Sequence, residues 1–410
     1  MAIKAGSITV ISNAKKRIAS LDIVRGIVMV IMALDHVRYY FHETSYLSPT
    51  NLATTTPILF FTRWITHFCS PTFVMLAGIS AFLTSQRLNV GNSGISGNSQ
   101  SFSRYLFTRG IWLVLVDTIL IRYGAGLNSG YTLTGLQVVW AMGWGMVILS
   151  AMTKINYKWI GALGLFILLF HNLLDGIRAS EWNSEWFEFI FDVFLNKGEF
   201  MPVQGHVIFA AFPIIPWFGL MAFGYALGAV LKQYEIRAKI TFPLGLAMTV
   251  AFVLLRGFHL YGEPTTWQHY PDSWTMSLLS FLNCTKNPPS LQFLLMIVGP
   301  TLMLWALLDK LDRFPRMGKT LNWLSIFGQV PLFYYIIHIW LIHYTAIGLA
   351  YIRWEGIACV PRPNGHECNP GFTLFETYFV WIAVILMLYP VCRAYARIKR
   401  EEPTWWMTYL

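Results

Sequence analysis

The chain has 410 residues, of which 55% are hydrophobic and 12% are charged, and its net charge is +10. A soluble domain carries about twice this share of charged residues, so the composition excludes an ordinary soluble protein and favours an all-α, polytopic membrane protein. Since the basic residues recur in every second connection between apolar segments, we attribute the positive charge to membrane topology and to anionic lipid headgroups of the bilayer. Nucleic acid is not expected as a partner.

Windows of about 20 apolar residues predict about ten transmembrane helices. They lie at residues 18–41, 57–84, 105–123, 135–151, 157–174, 205–231, 240–258, 290–309, 322–350 and 374–396. Lys and Arg collect in alternate connections while Glu and Asp collect in the others, which predicts that both termini are cytoplasmic. We therefore divide the chain into an N-terminal cytoplasmic segment (1–17), a single membrane domain (18–397) and a cytoplasmic C-terminal tail (398–410).

The first predicted helix contains ionisable residues that a bilayer would normally exclude, namely Asp22, Arg25, Asp35, His36 and Arg38. A charge near the bilayer centre costs about 2.5 to 3.5 kcal/mol on insertion scales, so these side chains are expected to face a protein-lined passage. Arg25 and His36 are three helical turns apart and project from nearly the same side, and Asp22 lies within about 40° of them. Asp35 points about 100° away from His36 and is expected to orient Arg38, Arg63 or a ring on a neighbouring helix.

Further ionisable side chains are predicted at a depth similar to that of His36. Arg63 and His67 lie in FFTRWITHFCSP on the second helix, and His338 and His343 lie near the outer end of the ninth. Histidine is suited to proton transfer near neutral pH. Each of these histidines could instead be a buried residue bonded to a backbone carbonyl, and we favour that interpretation for His343. No HExxH or CxxC spacing is present, so no metal is expected.

Two cysteines of one predicted outward loop leave alternatives open. Cys359 and Cys368 flank the segment VPRPNGHE. In an oxidising compartment they could form a disulfide, and otherwise they are two free thiols. The oligomeric state is open as well, a homo-oligomer included.

Six ordered blocks carry a family resemblance: RIASLDIVRGIVMVIMALDHVR, TRWITHFCSPTFVMLAGISAFL, SRYLFTRGIWLV, FPIIPWFGLMAFGYALG, SFLNCTKNPPSLQFLLMIVGP and FGQVPLFYYIIHIWLIH. Together they resemble the bacterial branch of the heparan-alpha-glucosaminide N-acetyltransferase family. The spacing from Arg25 to His36 also resembles the membrane O-acyltransferases of acyltransferase family three. The resemblance implies a multi-pass enzyme of the bacterial inner membrane, with acetyl-CoA from the cytoplasm as co-substrate and a sugar amine or hydroxyl on the outer side as acceptor.

The resemblance also implies a catalytic histidine, which could correspond to His36, His42 or His67. We prefer His36 because it fits the arginine spacing as well, and His67 is the second choice. The resulting candidates are, for catalysis, His36, His67 and Asp35; for acetyl-CoA binding, Arg25 and Asp22; and for acceptor binding, Arg63, His338, Asn283 and Lys286. For Asp22, a structural role at the helix start, paired with Arg25, is an equal alternative.

A second class of function is compatible with the same residues. In a proton-coupled small-molecule transporter, Asp22, Arg25, Asp35 and His36 would form a relay, since intramembrane ionisable groups are expected there too. The sequence shows no convincing paired Gly or Pro breaks in two repeated halves, which many transporters carry. We therefore prefer the acetyltransferase.

Overall fold

The structure is a computed structural model. It describes residues 18–91, 98–124, 133–177, 184–232, 234–311, 315–355, 360–362, 365–367, 370–402 and 404–408. The predicted N-terminal segment 1–17, Cys359 and Cys368 lie outside the described residues.

The described chain is mainly helical. Its α-helices are α1 (Ala19–Phe41), α2 (Pro57–Thr66), α3 (Cys69–Gly91), α4 (Asn98–Leu115), α5 (Arg122–Gly124), α6 (Val138–Ala151), α7 (Tyr157–Phe170), α8 (Glu185–Phe194), α9 (Ile214–Leu231), α10 (Tyr234–Gly257), α11 (Trp274–Leu282), α12 (Leu291–Leu311), α13 (Pro315–Gln329), α14 (Pro331–Arg353) and α15 (Leu374–Glu401). A π-helix, Val116–Ile121, connects α4 to α5, and 3₁₀ turns cover His171–Leu174 and Trp405–Thr408.

Five short strands lie in the connections between helices. They are β1 (Leu133–Leu136), β2 (Gly198–Val203), β3 (His206–Ala210), β4 (Val360–Arg362) and β5 (Gly365–Glu367). β3 is the centre of a three-stranded sheet, parallel to β1 with Leu133 opposite Val207 and antiparallel to β2 with Phe200 opposite Ile208. β4 and β5 form a separate antiparallel pair.

Seven described helical segments are long and apolar enough to cross a membrane: Pro57–Arg87, Tyr157–Leu174, Ile214–Leu231, Ile236–Gly257, Leu291–Leu311, Pro331–Arg353 and Leu374–Glu401. The prediction of an all-α polytopic membrane protein is confirmed. α1 does not meet the same criterion because charged residues interrupt its apolar sequence, yet it packs against α3, α13, α14 and α15. A total of ten spans and the cytoplasmic termini stay predictions.

Two of the predicted spans are divided in the structure. The segment predicted at 322–350 is split at Val330, since α13 ends at Gln329 and α14 begins at Pro331. A proline is tolerated at the first position of a helix, where its missing N–H needs no partner, but it disrupts a helix interior. The segment predicted at 57–84 is split into α2 and α3 at His67, whose N–H donates to the carbonyl of Trp64.

Close packing of two glycines holds α1 against α13. A Cβ atom added to Gly26 would collide with the backbone carbonyl of Leu324, and one added to Gly328 would collide with the carbonyl of Asp22. Small residues allow such backbone approach between membrane helices, where packing rather than hydrophobicity drives association. The contact fixes the position of the first turns of α1 and so brings Arg25 beside the α13–α14 junction.

Candidate active site

Most of the predicted site residues line one cavity of about 960 Å³, which we call the ionic cavity. Its wall is formed by the last turns of α1, the loop at 45–50, α2, the π-helix and the loop at 283–287. Six predicted residues meet here: Asp35, His36, Arg63, His67, Asn283 and Lys286. They come from three separate segments of the chain, so the fold assembles a single polar site from them.

His36 lies at the wall of the ionic cavity and is hydrogen-bonded to a second histidine. Its Nδ1 is 2.7 Å from Nε2 of His338 on α14, and the ring planes differ by 22°. Nδ1 of His338 is 2.9 Å from the carbonyl oxygen of Tyr334. His338 is fully buried and is not among the residues that line the cavity. The structure thus places it behind His36 rather than at the surface where we predicted acceptor binding.

Asp35 is held between two guanidinium groups. Its Oδ1 accepts a hydrogen bond of 3.1 Å from Arg38, one turn further along α1, and its Oδ2 accepts one from Arg63 of α2. The predicted orientation of Arg38 and of a group on the second helix is therefore confirmed. The ion pairs connect α2 to α1 and leave the carboxylate balanced by two cations.

His67 and His42, the alternatives to His36, differ in position. His67 lines the ionic cavity at the break between α2 and α3, with its ring edge against Phe293 at 5.5 Å. Its Nδ1 is buried and has no hydrogen-bond partner among the described residues. His42 follows α1, does not line the cavity, and its Nδ1 accepts the N–H of Thr44 at 3.2 Å. His67 thus has a free ring nitrogen in the site, whereas His42 lies outside it.

Lys286 supplies an ammonium group to the loop side of the ionic cavity. Its Nζ lies 5.7 Å from the ring centre of Phe212, within the range of a cation–π contact. No carboxylate within the described ranges forms an ion pair with it. Burial, with a smaller contribution from the nearby Arg63, lowers the pKa of Lys286 to about 8. Its charge is therefore available at neutral pH and is lost in mildly alkaline solution.

The loop that carries Lys286 is rigidly supported. Glu263 accepts hydrogen bonds from the N–H and hydroxyl of Thr285 and, at 2.5 Å, from the hydroxyl of Ser290. The guanidinium of Arg256 donates to the carbonyls of Ser280, Phe281, Asn283 and Thr265. The side-chain amide of Asn283 donates to the carbonyl of Thr50 at 3.0 Å, so that it connects two loops at the cavity wall.

Sequence reasoning missed the contribution of the π-helix and of α5 to this site. The π-helix brings Asp117 to the cavity wall, and Arg122 follows one turn later. Oδ2 of Asp117 accepts the N–H of Gln137 at the start of α6 at 3.2 Å. Single-turn π segments are frequent at functional sites. The signal was present as an acid and an arginine at the end of an apolar span, the pattern used for α1.

A second, smaller cavity of about 250 Å³ has a different wall, and we call it the apolar cavity. Its lining is largely Met, Leu, Val, Ala and aromatic side chains, with three cations, Arg25, Arg109 and Lys399. Arg25 donates to Oδ1 of Asp22 at 3.1 Å, to the carbonyl of Gly328 at 3.1 Å and to the hydroxyl of Ser80 at 2.9 Å. Asp22 is buried and is not part of the lining, and its bond to Arg25 supports that arginine at the cavity wall.

The two cavities share one lining residue, Tyr335 of α14. Its ring lies 6.1 Å from that of His36, edge to face. Arg25 and His36 were expected to line one passage, but they line different cavities. The two residues are about 16 Å apart along α1. Tyr335 stands where these cavities adjoin.

These features define a polytopic membrane protein with a histidine-containing polar site enclosed among its helices. The family model described as the catalytic region of heparan-alpha-glucosaminide N-acetyltransferase matches residues 17–260, more than half of the chain. The chain therefore belongs to this family of transmembrane acetyltransferases, as the resemblance indicated. The matched region includes His36 and His67 but ends before α11, so His338 and Lys286 lie beyond it. A comparison with curated proteins finds no match.

Proposed function

We propose that this protein moves the acetyl group of cytoplasmic acetyl-CoA to an amine or hydroxyl of a sugar on the outer side of a bacterial inner membrane. The observation that carries the proposal is the adjacency of the two cavities at Tyr335. The apolar cavity suits the slender pantetheine arm of an acyl donor and has cations for its phosphates, and the ionic cavity suits a polar acceptor.

The pantetheine arm of acetyl-CoA would occupy the apolar cavity. This arm is slender and can lie along the methionine and leucine side chains, while the phosphates need cations. Arginine binds phosphate in a bidentate, charge-assisted manner. Arg25, supported by Asp22, is the candidate inside the cavity, and Arg109 and Lys399 add positive charge to the same lining.

His36 would act on the acceptor in the ionic cavity. As the acceptor nitrogen or oxygen attacks the thioester carbon, the imidazole takes its proton, the C–S bond breaks, and the proton passes on to the CoA thiolate. In the alternative route the imidazole itself takes the acetyl group and passes it to the acceptor. The position of His36 at the cavity wall suits both routes.

Other residues would have supporting roles. Asp35 would hold Arg63 in place at the cavity wall, and Asn283 and Lys286 would form the wall that meets the sugar. His67, with its free Nδ1, is the second candidate for the base. We retain the disulfide between Cys359 and Cys368 and a homo-oligomer as open alternatives.

The test is a vesicle assay with purified protein. Labelled acetyl-CoA is supplied on one side and glucosamine on the other, and labelled N-acetylglucosamine is measured. His36→Ala should lower transfer by at least about 10²-fold, the usual contribution of a positioned base. His343→Ala, a buried histidine of α14 outside both cavities, is the matched control and should retain transfer.

Two results would overturn the proposal. Unchanged transfer by His36→Ala would remove this histidine from the reaction. Uptake of labelled sugar in the absence of any CoA, with no acetylated product, would favour the proton-coupled transporter instead.

A further inference from the structure

The contact between His36 and His338 determines which nitrogen of His36 can react. The carbonyl oxygen of Tyr334 can only accept a hydrogen bond, so Nδ1 of His338 must carry the hydrogen in that 2.9 Å contact. In a neutral His338 the Nε2 atom is then an acceptor. The 2.7 Å contact to His36 therefore requires the hydrogen on Nδ1 of His36.

We propose that His338 is a positioning residue that fixes His36 as its Nδ1–H tautomer, so that Nε2 of His36 is the reactive nitrogen. The proposal rests on the proposed function for its catalytic meaning, but the tautomer itself is a property of the folded protein. Nε2 of His36 has no hydrogen-bond partner among the described residues, and the ring lines the ionic cavity. A lone pair is thus presented to the acceptor.

The opposite arrangement would need a charged His338. A doubly protonated His338 would donate to Nδ1 of His36 and place the hydrogen on Nε2, where it would block the base. His338 is fully buried, and its ring stacks on that of Tyr334 at 4.9 Å with planes 12° apart. A buried charge without a paired carboxylate is costly. The carboxylate in this region, Asp35, already binds Arg38 and Arg63.

The contact also acts during the reaction. When Nε2 of His36 takes the proton of the acceptor, the imidazole becomes a cation and Nδ1–H becomes a stronger donor. His338 then accepts a charge-assisted hydrogen bond and disperses part of the new charge. The His36 ring can neither rotate nor exchange tautomers without losing this hydrogen bond. The bond therefore keeps Nε2 of His36 directed at the cavity.

The first measurement is the tautomer of His36. ¹⁵N-histidine-labelled protein, assigned by comparison with His36→Gln, should show a protonated, pyrrole-type signal for Nδ1 and a pyridine-type signal for Nε2. The reverse pattern in the wild-type protein would overturn the inference, whether or not the protein transfers acetyl groups. This measurement is therefore independent of the proposed function.

The second measurement compares substitutions at His338. In His338→Gln the amide can donate to the Tyr334 carbonyl and accept from Nδ1 of His36, whereas His338→Leu can do neither. We expect His338→Leu to lower kcat by about 10²-fold with a much smaller change in the KM for acetyl-CoA, and His338→Gln to restore most of the loss. Histidine spectra of His338→Leu should show a mixture of His36 tautomers.

His343→Leu is the matched control, since His343 is also buried on α14 but has no contact with His36 among the described residues. It should leave kcat and the His36 spectrum unchanged. Equal losses for His338→Leu and His338→Gln would show that only ring packing matters and would overturn the positioning role. If His338→Leu does not fold, the wild-type spectrum and His338→Gln still test the positioning role of His338.

Discussion

The apolar and ionic cavities are neighbours along α1 but differ in the way their charges are arranged. In the apolar cavity, Arg25 is neutralised by Asp22 and held by backbone and hydroxyl groups, and the rest of the lining is mainly hydrophobic. In the ionic cavity, Asp35 is shared by two arginines, and Lys286 adds a further cation. One helix thus supplies polar groups to two very different environments.

The difference is consistent with the division of the reaction between the cavities that we propose. A mainly hydrophobic wall suits a donor that slides in and positions its thioester by shape. A charged wall with fixed hydrogen bonds suits an acceptor that must be oriented and deprotonated. Substitutions that affect the two cavities differently can therefore test the comparison.

The largest effect is expected for Asp35→Asn. Removing this carboxylate leaves two arginines without their partner. The ion pairs are partly buried, so the loss in the free energy of unfolding should lie between the roughly 1 kcal/mol of an exposed pair and the about 3 kcal/mol of a buried one. Transfer per folded molecule should also fall by at least about 10²-fold, because Arg63 is no longer oriented and small displacements in a site are costly. Thermal unfolding and transfer per folded molecule are measured together.

Asp309→Asn is the control for this prediction. Asp309 accepts hydrogen bonds from Arg237 at 2.8 Å and Ser20 at 2.5 Å, and it is buried near the start of α1, away from both cavities. Because its ion pair with Arg237 is more deeply buried than those of Asp35, Asp309→Asn should lower stability at least as much without changing transfer per folded molecule. If both variants lose transfer equally, Asp35 is only structural.

The next effect concerns the residue common to both cavities. Tyr335→Trp places a larger ring where the cavities adjoin and should reduce transfer by about tenfold or more, since small displacements of reacting groups are costly. Binding of CoA, measured as a rise in the unfolding temperature, should persist. Tyr335→Phe keeps the ring size and serves as the comparison. If this variant loses transfer completely, the hydroxyl of Tyr335 matters rather than the space between the cavities.

A smaller effect is expected for Arg25→Gln. A hydrogen bond to a charged group contributes about 1.5 to 3 kcal/mol, so the KM for acetyl-CoA should rise about tenfold while kcat changes less. Arg397→Gln, an exposed residue of α15 paired with Glu401, is the control and should leave this KM unchanged. If the KM of the acceptor rises and the KM of acetyl-CoA does not, the assignment of Arg25 to acetyl-CoA is wrong.

The smallest effect is a pH dependence at Lys286. Because the pKa of this lysine is lowered to about 8, the protonated form predominates at pH 7 and is lost as the pH rises to 9. The kcat/KM for the acceptor should therefore fall severalfold relative to Lys286→Arg, which stays charged over this range. Taking the ratio of the two proteins removes the titration of an amine acceptor. A constant ratio would exclude a role for the lysine charge.

The sequence itself indicated the polytopic helical fold, the family, and six residues of the ionic cavity. The fold and the ionisable residues of the first two helices follow from local properties: the length of apolar windows, the cost of charges inside them, and the angular spacing of residues along one helix. The family follows from the ordered sequence blocks, and Asn283 and Lys286 belong to a loop chosen as the candidate wall on the acceptor side. His36 and Arg25 could be selected because each is unusual in its own segment, whatever surrounds it.

Tertiary structure alone decided how the helices lie beside one another. The bond between His36 and His338 joins residues 302 positions apart, and nothing in either segment specifies it. The separation of Arg25 and His36 into two cavities depends on α14, which begins at Pro331 and inserts Tyr335 beside both. Such placement arises from close backbone packing, as at Gly26 and Gly328, and from the fit of side chains between distant helices. The periodicity of a single helix does not encode this fit.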